Sequence, residues 1–275
     1  MLIAQFSDTH IKPKGRLAYN KVDTAQMLRQ AVINLKQLPQ TPDLLVITGD
    51  LVDQGMAEEY EHLNEILESS SIPMLLVPGN HDDSRAMRKS FTNLLMEPIG
   101  EFWQFIYTQP DWPVQIIGLD TTLPGSSSGL LCEKRLKWLE NILKRVSPDI
   151  PTIVLMHHPP FNTGIGHMDE IGLSGKDQFA NIVSQYPNIE LITCGHLHRN
   201  IRANVGGRSV MTCPSTAHSV QLDLSQSAPA EFRMEPPSYL LHYCQKGAGV
   251  VTHQAYAQFF EGPYPFFEPS GKLIT

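Results

Sequence analysis

Residues 74–83 read MLLVPGNHDD, an apolar run followed at once by a turn crowded with polar side chains. The run MLLV has the length and composition of a buried strand, and the residues after it predict a turn into a helix. Such a turn needs only glycine, proline and a helix cap. The segment Asn80–Asp83 contains more polar side chains than such a turn requires, and several of them are possible metal ligands. We therefore expect this turn to end a strand of an α/β sheet and to carry part of a binding site.

The composition indicates a folded protein with a well-buried core. The chain has 275 residues, of which 41% are hydrophobic and 18% charged, and these proportions are typical of globular proteins. The net charge of −7 comes without a stripe of lysine and arginine, which argues against a general nucleic-acid binder. A small phosphate ester stays possible, because the charge of a bound metal can override the global sign.

The MLLV strand is one of several apolar runs that alternate with amphipathic segments. The predicted strands lie at residues 2–6, 43–47, 73–77, 102–108, 114–120, 151–156 and 189–194, and the predicted helices at 22–38, 57–69, 84–95, 132–146 and 175–186. In the first helix Leu28, Val32 and Leu35 share one face. Ser84 is the expected N-cap of the third helix. Near-continuous apolar strands alternating with helices indicate an α/β fold with covered sheets.

The chain changes character after about residue 200. Residues 200–215 predict two strands around Gly206-Gly207, and residues 239–256 predict a second hairpin. Between them, residues 217–237 form an irregular, proline-rich excursion that we expect to act as a cap. The end, residues 257–275, is an aromatic tail. We expect a single domain over residues 1–275, with four widely spaced cysteines that are reduced and mostly buried.

Polar clusters follow five of the predicted strands. They are SDTH at 7–10, GDLVD at 49–53, GNHDD at 79–83, HHPP at 157–160 and GHLH at 195–198. The carboxyl ends of strands in an open α/β sheet share one edge, where ligands bind. Any one of these motifs alone could be an ordinary turn, but independent turns have no reason to complete one ligand set. We therefore expect the five turns to meet at one site.

The side chains of the five turns suit a pair of metal ions. Carboxylate, imidazole and amide ligands suit Fe, Mn, Zn or Co, and no cysteine occupies a ligand position. Asp8 and His10 are two residues apart, and in an extended segment they would point to the same side, as would His196 and His198. A carboxylate such as Asp50 can bridge two cations. Two divalent ions roughly 3.5–4 Å apart can generate hydroxide near neutral pH and hold a phosphoryl group.

The order of the motifs carries a family resemblance. The pattern D-x-H … G-D … G-N-H-D … H … G-H-x-H extends over roughly residues 1–218 and resembles the calcineurin-like metallophosphoesterase superfamily. Within it, SDTH, PGNHDD, MHHPP and PSTAH are similar to motifs of the class III cyclic nucleotide phosphodiesterases and the bacterial glycerophosphodiesterases. The resemblance implies a four-layer α/β/β/α sandwich, in which two mixed sheets are flanked by helices.

The resemblance also implies roles for individual residues. One metal ion would be held by Asp8, His10, Asp50 and His198. The other would be held by Asp50, Asn80, His157 and His196. His81 would touch the phosphate or the leaving group, with Asp82 orienting its imidazole, and His218 would be a second histidine on the substrate side. The predicted catalytic residues are thus Asn80, His81, Asp50 and His218.

The implied activity is hydrolysis of small phosphodiesters by a hydroxide that bridges two divalent transition metal ions. Cyclic nucleotides such as cyclic AMP and glycerophosphodiesters are both open as substrates, because selectivity lies in loops that composition does not decode. A phosphomonoesterase of the same superfamily is an alternative. A non-catalytic scaffold on the same fold is a further hypothesis, which the complete ligand set disfavours.

Partners and location follow from what the sequence contains. We expect no stable nucleic-acid partner and no membrane contact, because the chain has neither a basic stripe nor a long apolar span. The start of the chain has no charged leader region, which favours a cytoplasmic protein. Apolar extensions often bury across a symmetric interface, so the tail favours a homo-oligomer, a dimer or higher; packing against its own domain is the alternative. His158 is expected to be structural.

Overall fold

The computed structural model describes residues 1–91, 94–96, 98 and 100–274. Its helices are α1 (Thr24–Lys36), α2 (Ala57–Glu68), α3 (Ser84–Ser90), α4 (Glu133–Leu143), α5 (Gly166–Glu170) and α6 (Lys176–Val183). Its first nine strands are β1 (Leu2–Phe6), β2 (Leu44–Thr48), β3 (Met74–Val77), β4 (Phe105–Tyr107), β5 (Gln115–Gly118), β6 (Gly129–Leu130), β7 (Thr152–Leu155), β8 (Leu173–Ser174) and β9 (Ile189–Cys194). The remaining strands are β10 (Arg202–Val205), β11 (Arg208–Thr212), β12 (Ser219–Val220), β13 (Phe232–Arg233), β14 (Ser238–Gln245) and β15 (Gly249–Tyr256).

The strands build two mixed sheets. The first has the order β15-β14-β1-β2-β3, with β1, β2 and β3 parallel and β14 antiparallel to β1. The second has the order β10-β11-β9-β7-β5-β4, with a parallel centre and antiparallel edge strands β10 and β4. Two mixed sheets with helices confirm the predicted α/β class.

Alternation along the strands of the second sheet separates two layers of apolar packing. In β7, Ile153 and Leu155 pack with residues of the first sheet, whereas Val154 packs with residues of α4 and α6. Because successive side chains of a strand point to opposite faces, one face of this sheet covers the other sheet and the opposite face is covered by helices. The near-continuous apolar runs in the sequence reflect this burial on both faces.

The helix predictions hold with corrections at the ends. In α1 the residues Leu28, Val32 and Leu35 are buried, as their spacing predicts. The predicted N-cap of α3, Ser84, is wrong. The cap is Asp83, because its carboxylate accepts hydrogen bonds from the amides of Arg85 and Ala86. The helix ends at Ser90 rather than at residue 95, and residues 92 and 93 of the predicted helix lie outside the described residues.

The hairpins form as predicted, but several short elements were not foreseen. Strands β10 and β11 pair around Gly206-Gly207, and β14 pairs with β15. The excursion at residues 217–237, predicted as irregular, contains the two-residue strands β12 and β13, which pair with each other. Helix α5 and strands β6 and β8 were also missed. Elements of two to five residues are too short to show a periodic pattern.

The cysteine thiols are free, as the sequence predicts. The four cysteines are unpaired, and Cys194, Cys213 and Cys244 are buried. Among the described residues, none of the helices combines the length and the apolar character that crossing a bilayer requires.

A buried polar network joins the two sheets just below the edge where β1, β2 and β9 end. The Gln5 amide donates to the hydroxyl of Thr48 (2.8 Å), and its carbonyl oxygen accepts from the hydroxyl of Thr193 (2.7 Å). The same oxygen lies 2.9 Å from Nε2 of His242. Burial lowers the pKa of His242 to about 3, so this imidazole is neutral and donates from Nε2. Satisfied buried polar groups of this kind fix one arrangement of the layers.

Candidate metal centre

The five polar turns meet at one edge, as their positions after strands predict. The amide of Asp8 donates to the carbonyl of Gly49 (3.0 Å), and the amide of Gly195 donates to the carbonyl of His157 (2.9 Å). The amide of His196 reaches the carboxylate of Asp8 across the two sheets (2.9 Å). One cavity of about 240 Å³ is lined by His10, Asp50, Asn80, His81, His196, His198 and His218.

The backbone reaches this arrangement in a conformation that the sequence did not predict. Asp8, His10, Asp50, His196 and His198 all have positive φ, between 42° and 70°. The expectation that extended segments align Asp8 with His10, and His196 with His198, is therefore wrong, because β1 ends at Phe6, β9 ends at Cys194 and these four residues have positive φ. Such conformations cost of order 1–3 kcal/mol each in residues other than glycine, and they concentrate at functional sites.

A first group of possible ligand atoms comes from Asp8, His10, Asp50 and His198. These atoms all lie within 4.8 Å of one another, and the four residues are buried. Nε2 of His10 lies 3.2 Å from Nε2 of His198 and 3.6 Å from Oδ2 of Asp50. Nε2 of His198 lies 3.6 Å from Oδ1 of Asp8. Two imidazoles and two carboxylates thus converge at distances at which one cation could replace their direct contacts.

A second group surrounds His157. Ligand atoms of His157, His158 and His196 lie within 4.8 Å of one another. Nε2 of His157 is also 3.1 Å from Oδ1 of Asn80 and 3.3 Å from Oδ2 of Asp50. Asp50 therefore adjoins both groups, through the same oxygen Oδ2 that faces His10.

His158 differs from its neighbours because both of its ring nitrogens have other partners. Nδ1 lies 2.8 Å from the hydroxyl of Thr121, and Nε2 lies 3.1 Å from the carbonyl oxygen of Ser127. These contacts hold the ring against the loop after β5, with its centroid 4.5 Å from that of His196. We therefore assign His158 no ligand role, in line with the structural role expected from the sequence.

The chemistry of the two groups fits bound cations. Oδ2 of Asp8 and Nε2 of His196 are buried, and neither has a hydrogen-bond partner among the described residues. A buried polar atom without a partner costs free energy, and coordination to a cation would remove that cost. Aspartate and histidine with an asparagine amide nearby, and no cysteine, form a donor set that suits Mn, Fe, Zn or Co.

The protonation states of His196 and Asp50 favour cation binding, whereas His157 is protonated at neutral pH and would release a proton on binding a cation. Burial, together with the neighbouring charge of His157, lowers the pKa of His196 to about 3, so this imidazole is in the neutral form that binds metals. Burial disfavours the charged forms of both Asp50 and His157. Their mutual attraction is stronger, and it holds the pKa of Asp50 well below its usual range and raises that of His157 to about 9. Asp50 is thus a carboxylate at neutral pH.

Groups behind the ligand atoms orient the imidazoles. Nδ1 of His157 lies 2.8 Å from the carbonyl oxygen of Thr48, which only accepts, so this nitrogen carries hydrogen and Nε2 is the nitrogen that faces Asp50 and Asn80. Nδ1 of His10 makes no hydrogen bond among the described residues but lies 3.5 Å from Oδ1 of Asp53, an ion-pair contact, and the other oxygen of Asp53 accepts from the Lys12 ammonium at 2.7 Å. Partners of this kind fix the ring orientation of ligating histidines.

The predicted partner of His81 is wrong. Nδ1 of His81 lies 2.7 Å from the carbonyl oxygen of Asp53, so this backbone group and not Asp82 orients the ring. The carboxylate of Asp82 instead accepts from the amides of Gly79 (2.9 Å) and Leu51 (3.1 Å). Its side chain turns away from the cavity because buried backbone N–H groups need acceptors.

The wall of the cavity contains aromatic residues that the sequence did not single out. The ring of His218 lies 4.6 Å from that of His198, 5.2 Å from that of Tyr19 and 5.3 Å from that of Phe232. The predicted substrate-side histidine therefore lies beside the first ligand group. Tyr19 lies before α1 and Phe232 lies in β13, and no short-range sequence pattern shows which aromatic residue faces a distant site.

Comparison with known proteins identifies relatives that are named as phosphodiesterases. The family model of the calcineurin-like phosphoesterases matches residues 1–200. A probable glycerophosphodiester phosphodiesterase, GpdQ, of Arcobacter nitrofigilis is 40% identical over 275 residues and covers 100% of each chain. The 3',5'-cyclic adenosine monophosphate phosphodiesterase CpdA of Escherichia coli K12 is 29% identical over 219 residues, which cover 78% of this chain and 75% of CpdA.

A solved structure supports the fold alone. The dimetal phosphatase of Danio rerio aligns with a TM-score of 0.63 and 14% sequence identity, covering 92% of this chain and 98% of that chain. At this identity the alignment says nothing about substrate.

Removing Asp50 tests the two groups directly. We expect Asp50→Ala to reduce bound Mn²⁺ from about two ions per chain to fewer than one, because its Oδ2 adjoins both groups. Elemental analysis after equilibration and desalting measures the ratio. Asp149→Ala, which removes an exposed carboxylate, is the matched control and should bind like the wild type. Retention of two ions by Asp50→Ala would contradict the shared carboxylate.

Proposed function

The chain belongs to the calcineurin-like phosphoesterase family, and we infer that it is a metal-dependent phosphodiesterase acting on small phosphodiesters. The observation that carries this inference is the pair of ligand groups that share Asp50 at one cavity. Relatives along the whole chain are named as phosphodiesterases. A non-catalytic scaffold on this fold would have lost metal-ligand residues, whereas every residue of the predicted ligand sets is present in this chain.

We propose the following ligand sets for the two cations. One set consists of Asp8, His10, Asp50 and His198. The other consists of Asp50, Asn80, His157 and His196. The grouping of ligand atoms supports the first set, and the contacts of His157 with Asn80 and Asp50 support the second. The donor atoms suit Fe, Mn, Zn or Co.

Bound there, two divalent cations would supply an activated water near neutral pH and neutralise charge on the phosphoryl oxygens. The negative charge of the two carboxylates, Asp8 and Asp50, is smaller than the positive charge of two dications. The centre with both cations bound would therefore carry a net positive charge. An anionic diester is then attracted even though the chain is negative overall.

In this proposal His81 protonates the leaving group. Because its Nδ1 is fixed on the carbonyl of Asp53, Nε2 is the nitrogen available in the cavity. In the protonated form it can give a proton to the departing alkoxide, which is general acid catalysis. Its backbone amide also donates to Oδ1 of Asp50 (2.9 Å), so the backbone of His81 is linked directly to the shared carboxylate. His218 is a second histidine on the substrate side in this proposal.

Glycerophosphodiesters are the substrates that we favour. A relative named as a probable glycerophosphodiester phosphodiesterase is 40% identical over 100% of this chain, whereas relatives named as cyclic nucleotide phosphodiesterases are 29–31% identical over 78–96% of it. Cyclic nucleotides are the second candidate because CpdA is also a relative. A monoesterase would hydrolyse a simple phosphate monoester faster than either diester.

We also propose that the chain forms a homo-oligomer through its tail. The tail aromatics Phe259, Phe260, Tyr264, Phe266 and Phe267 are between 54% and 79% exposed. They follow β15, an edge strand of the first sheet. An apolar extension beside an open sheet edge is a ready surface for a second copy. A monomeric mass of the full chain in light scattering would overturn this proposal.

Substitution of His81 separates its role from metal binding. We expect His81→Ala to lower kcat by about 10²–10³-fold on glycerophosphoethanolamine, whose leaving alkoxide needs a proton. The loss should be smaller on bis-(p-nitrophenyl) phosphate, whose leaving group departs without one. Steady-state rates on the two diesters give the comparison.

His253→Ala, which removes an exposed histidine of β15, should leave both rates unchanged. Equal losses for the two substrates in His81→Ala would show that His81 is no proton donor. A wild-type preference for a monoester over both diesters would contradict the proposed phosphodiesterase.

A further inference from the structure

Asp82 connects the turn after β2 with the turn after β3. Its Oδ2 accepts from the amides of Gly79 (2.9 Å) and Leu51 (3.1 Å), one from each turn. Its Oδ1 accepts from the hydroxyl of Tyr60 (3.0 Å) and lies 3.4 Å from the amide nitrogen of Val52. Asp82 is not among the residues that line the cavity. It therefore touches the backbone around Asp50 and Asn80 without facing the substrate.

The direction of these hydrogen bonds requires a carboxylate. Backbone amides can only donate, so three of the four partners demand an acceptor. The fourth, the hydroxyl of Tyr60, already accepts from the amide of Asp83 at 3.0 Å, and it therefore donates its hydrogen to Asp82. An asparagine amide has nearly the same shape, but its NH₂ group would face donors on one side.

The two turns that Asp82 joins are closely packed against each other. A Cβ atom added to Gly79 would lie 2.2 Å from Oδ1 of Asp50 and 2.3 Å from its backbone nitrogen. The amide of His81 also holds Oδ1 of Asp50 at 2.9 Å. A small shift of either turn therefore moves the carboxylate of Asp50 relative to the amide oxygen of Asn80.

We propose that Asp82, supported by Tyr60, is a positioning residue that sets the spacing between Asp50 and Asn80. This proposal rests on the proposed function. It predicts that Asp82 controls the cation affinity of the site without binding the cation itself. Residues behind metal ligands typically change affinity by 10–100-fold when replaced. The rival explanation is that Asp82 only stabilises the fold, as any satisfied buried carboxylate can.

Cation affinity of the folded protein separates the two explanations. We expect Asp82→Asn to weaken Mn²⁺ binding by about 10–100-fold, measured by calorimetry on metal-stripped protein well below its unfolding temperature. Tyr60→Phe removes one donor and keeps the backbone contacts, so its loss should be smaller and in the same direction. Unfolding in urea is measured for every variant.

The matched control is Gln115→Ala, at the opposite end of the second sheet. Its buried side chain donates to the carbonyl of Ser147 (3.1 Å) and to the hydroxyl of Thr152 (2.8 Å). We expect this variant to lose stability but to keep the Mn²⁺ affinity of the wild type.

Wild-type affinity in Asp82→Asn, with stability reduced as in the control, would overturn the proposal. If Asp82→Asn does not fold, the Mn²⁺ affinity and stability of Tyr60→Phe are compared with those of the control instead. An unchanged Mn²⁺ affinity of Tyr60→Phe would then overturn the proposal. A wild-type chain that binds no Mn²⁺ would instead overturn the proposed function, and this inference with it.

Discussion

The site depends on one carboxylate, that of Asp50, which adjoins two groups of possible ligand atoms. Its Oδ1 is held by the backbone amide of His81, and its Oδ2 lies 3.3 Å from His157 and 3.6 Å from His10. One oxygen fixes the side chain and the other faces both groups. Asp50 adopts a left-handed backbone, and the lack of a Cβ at Gly79 leaves room for its side chain.

Membership of the site was predictable from the sequence, because each polar cluster directly follows an apolar run. Strand ends in α/β sheets share an edge, so Asp8, Asn80 and His196 could be expected at one place before any coordinates were known. The local backbone was not predictable, since Asp8 and His10 reach the site through residues of positive φ and not through the extended segment that their spacing suggested. This conformation is accompanied by hydrogen bonds from the amides of Asp8 and His10 to the turn after β2.

Long-range contacts account for the remaining differences. The partner of His81 is a carbonyl of another turn, and the partners of Asp82 are amides of two turns. Sequence patterns give residue types and spacing, but they do not show which backbone group lacks a partner. The same limit applies to β14, which inserts beside β1 although more than 200 residues separate them along the chain. It applies also to Tyr19 and Phe232 in the cavity wall.

Diffraction from crystals soaked in Mn²⁺, recorded at the manganese absorption edge, tests the shared carboxylate most directly. The account predicts two anomalous peaks roughly 3.5–4 Å apart, one beside His10 and His198 and one beside His157 and His196, with Asp50 between them. A single peak, or two peaks of which one lies away from Asp50, would contradict it.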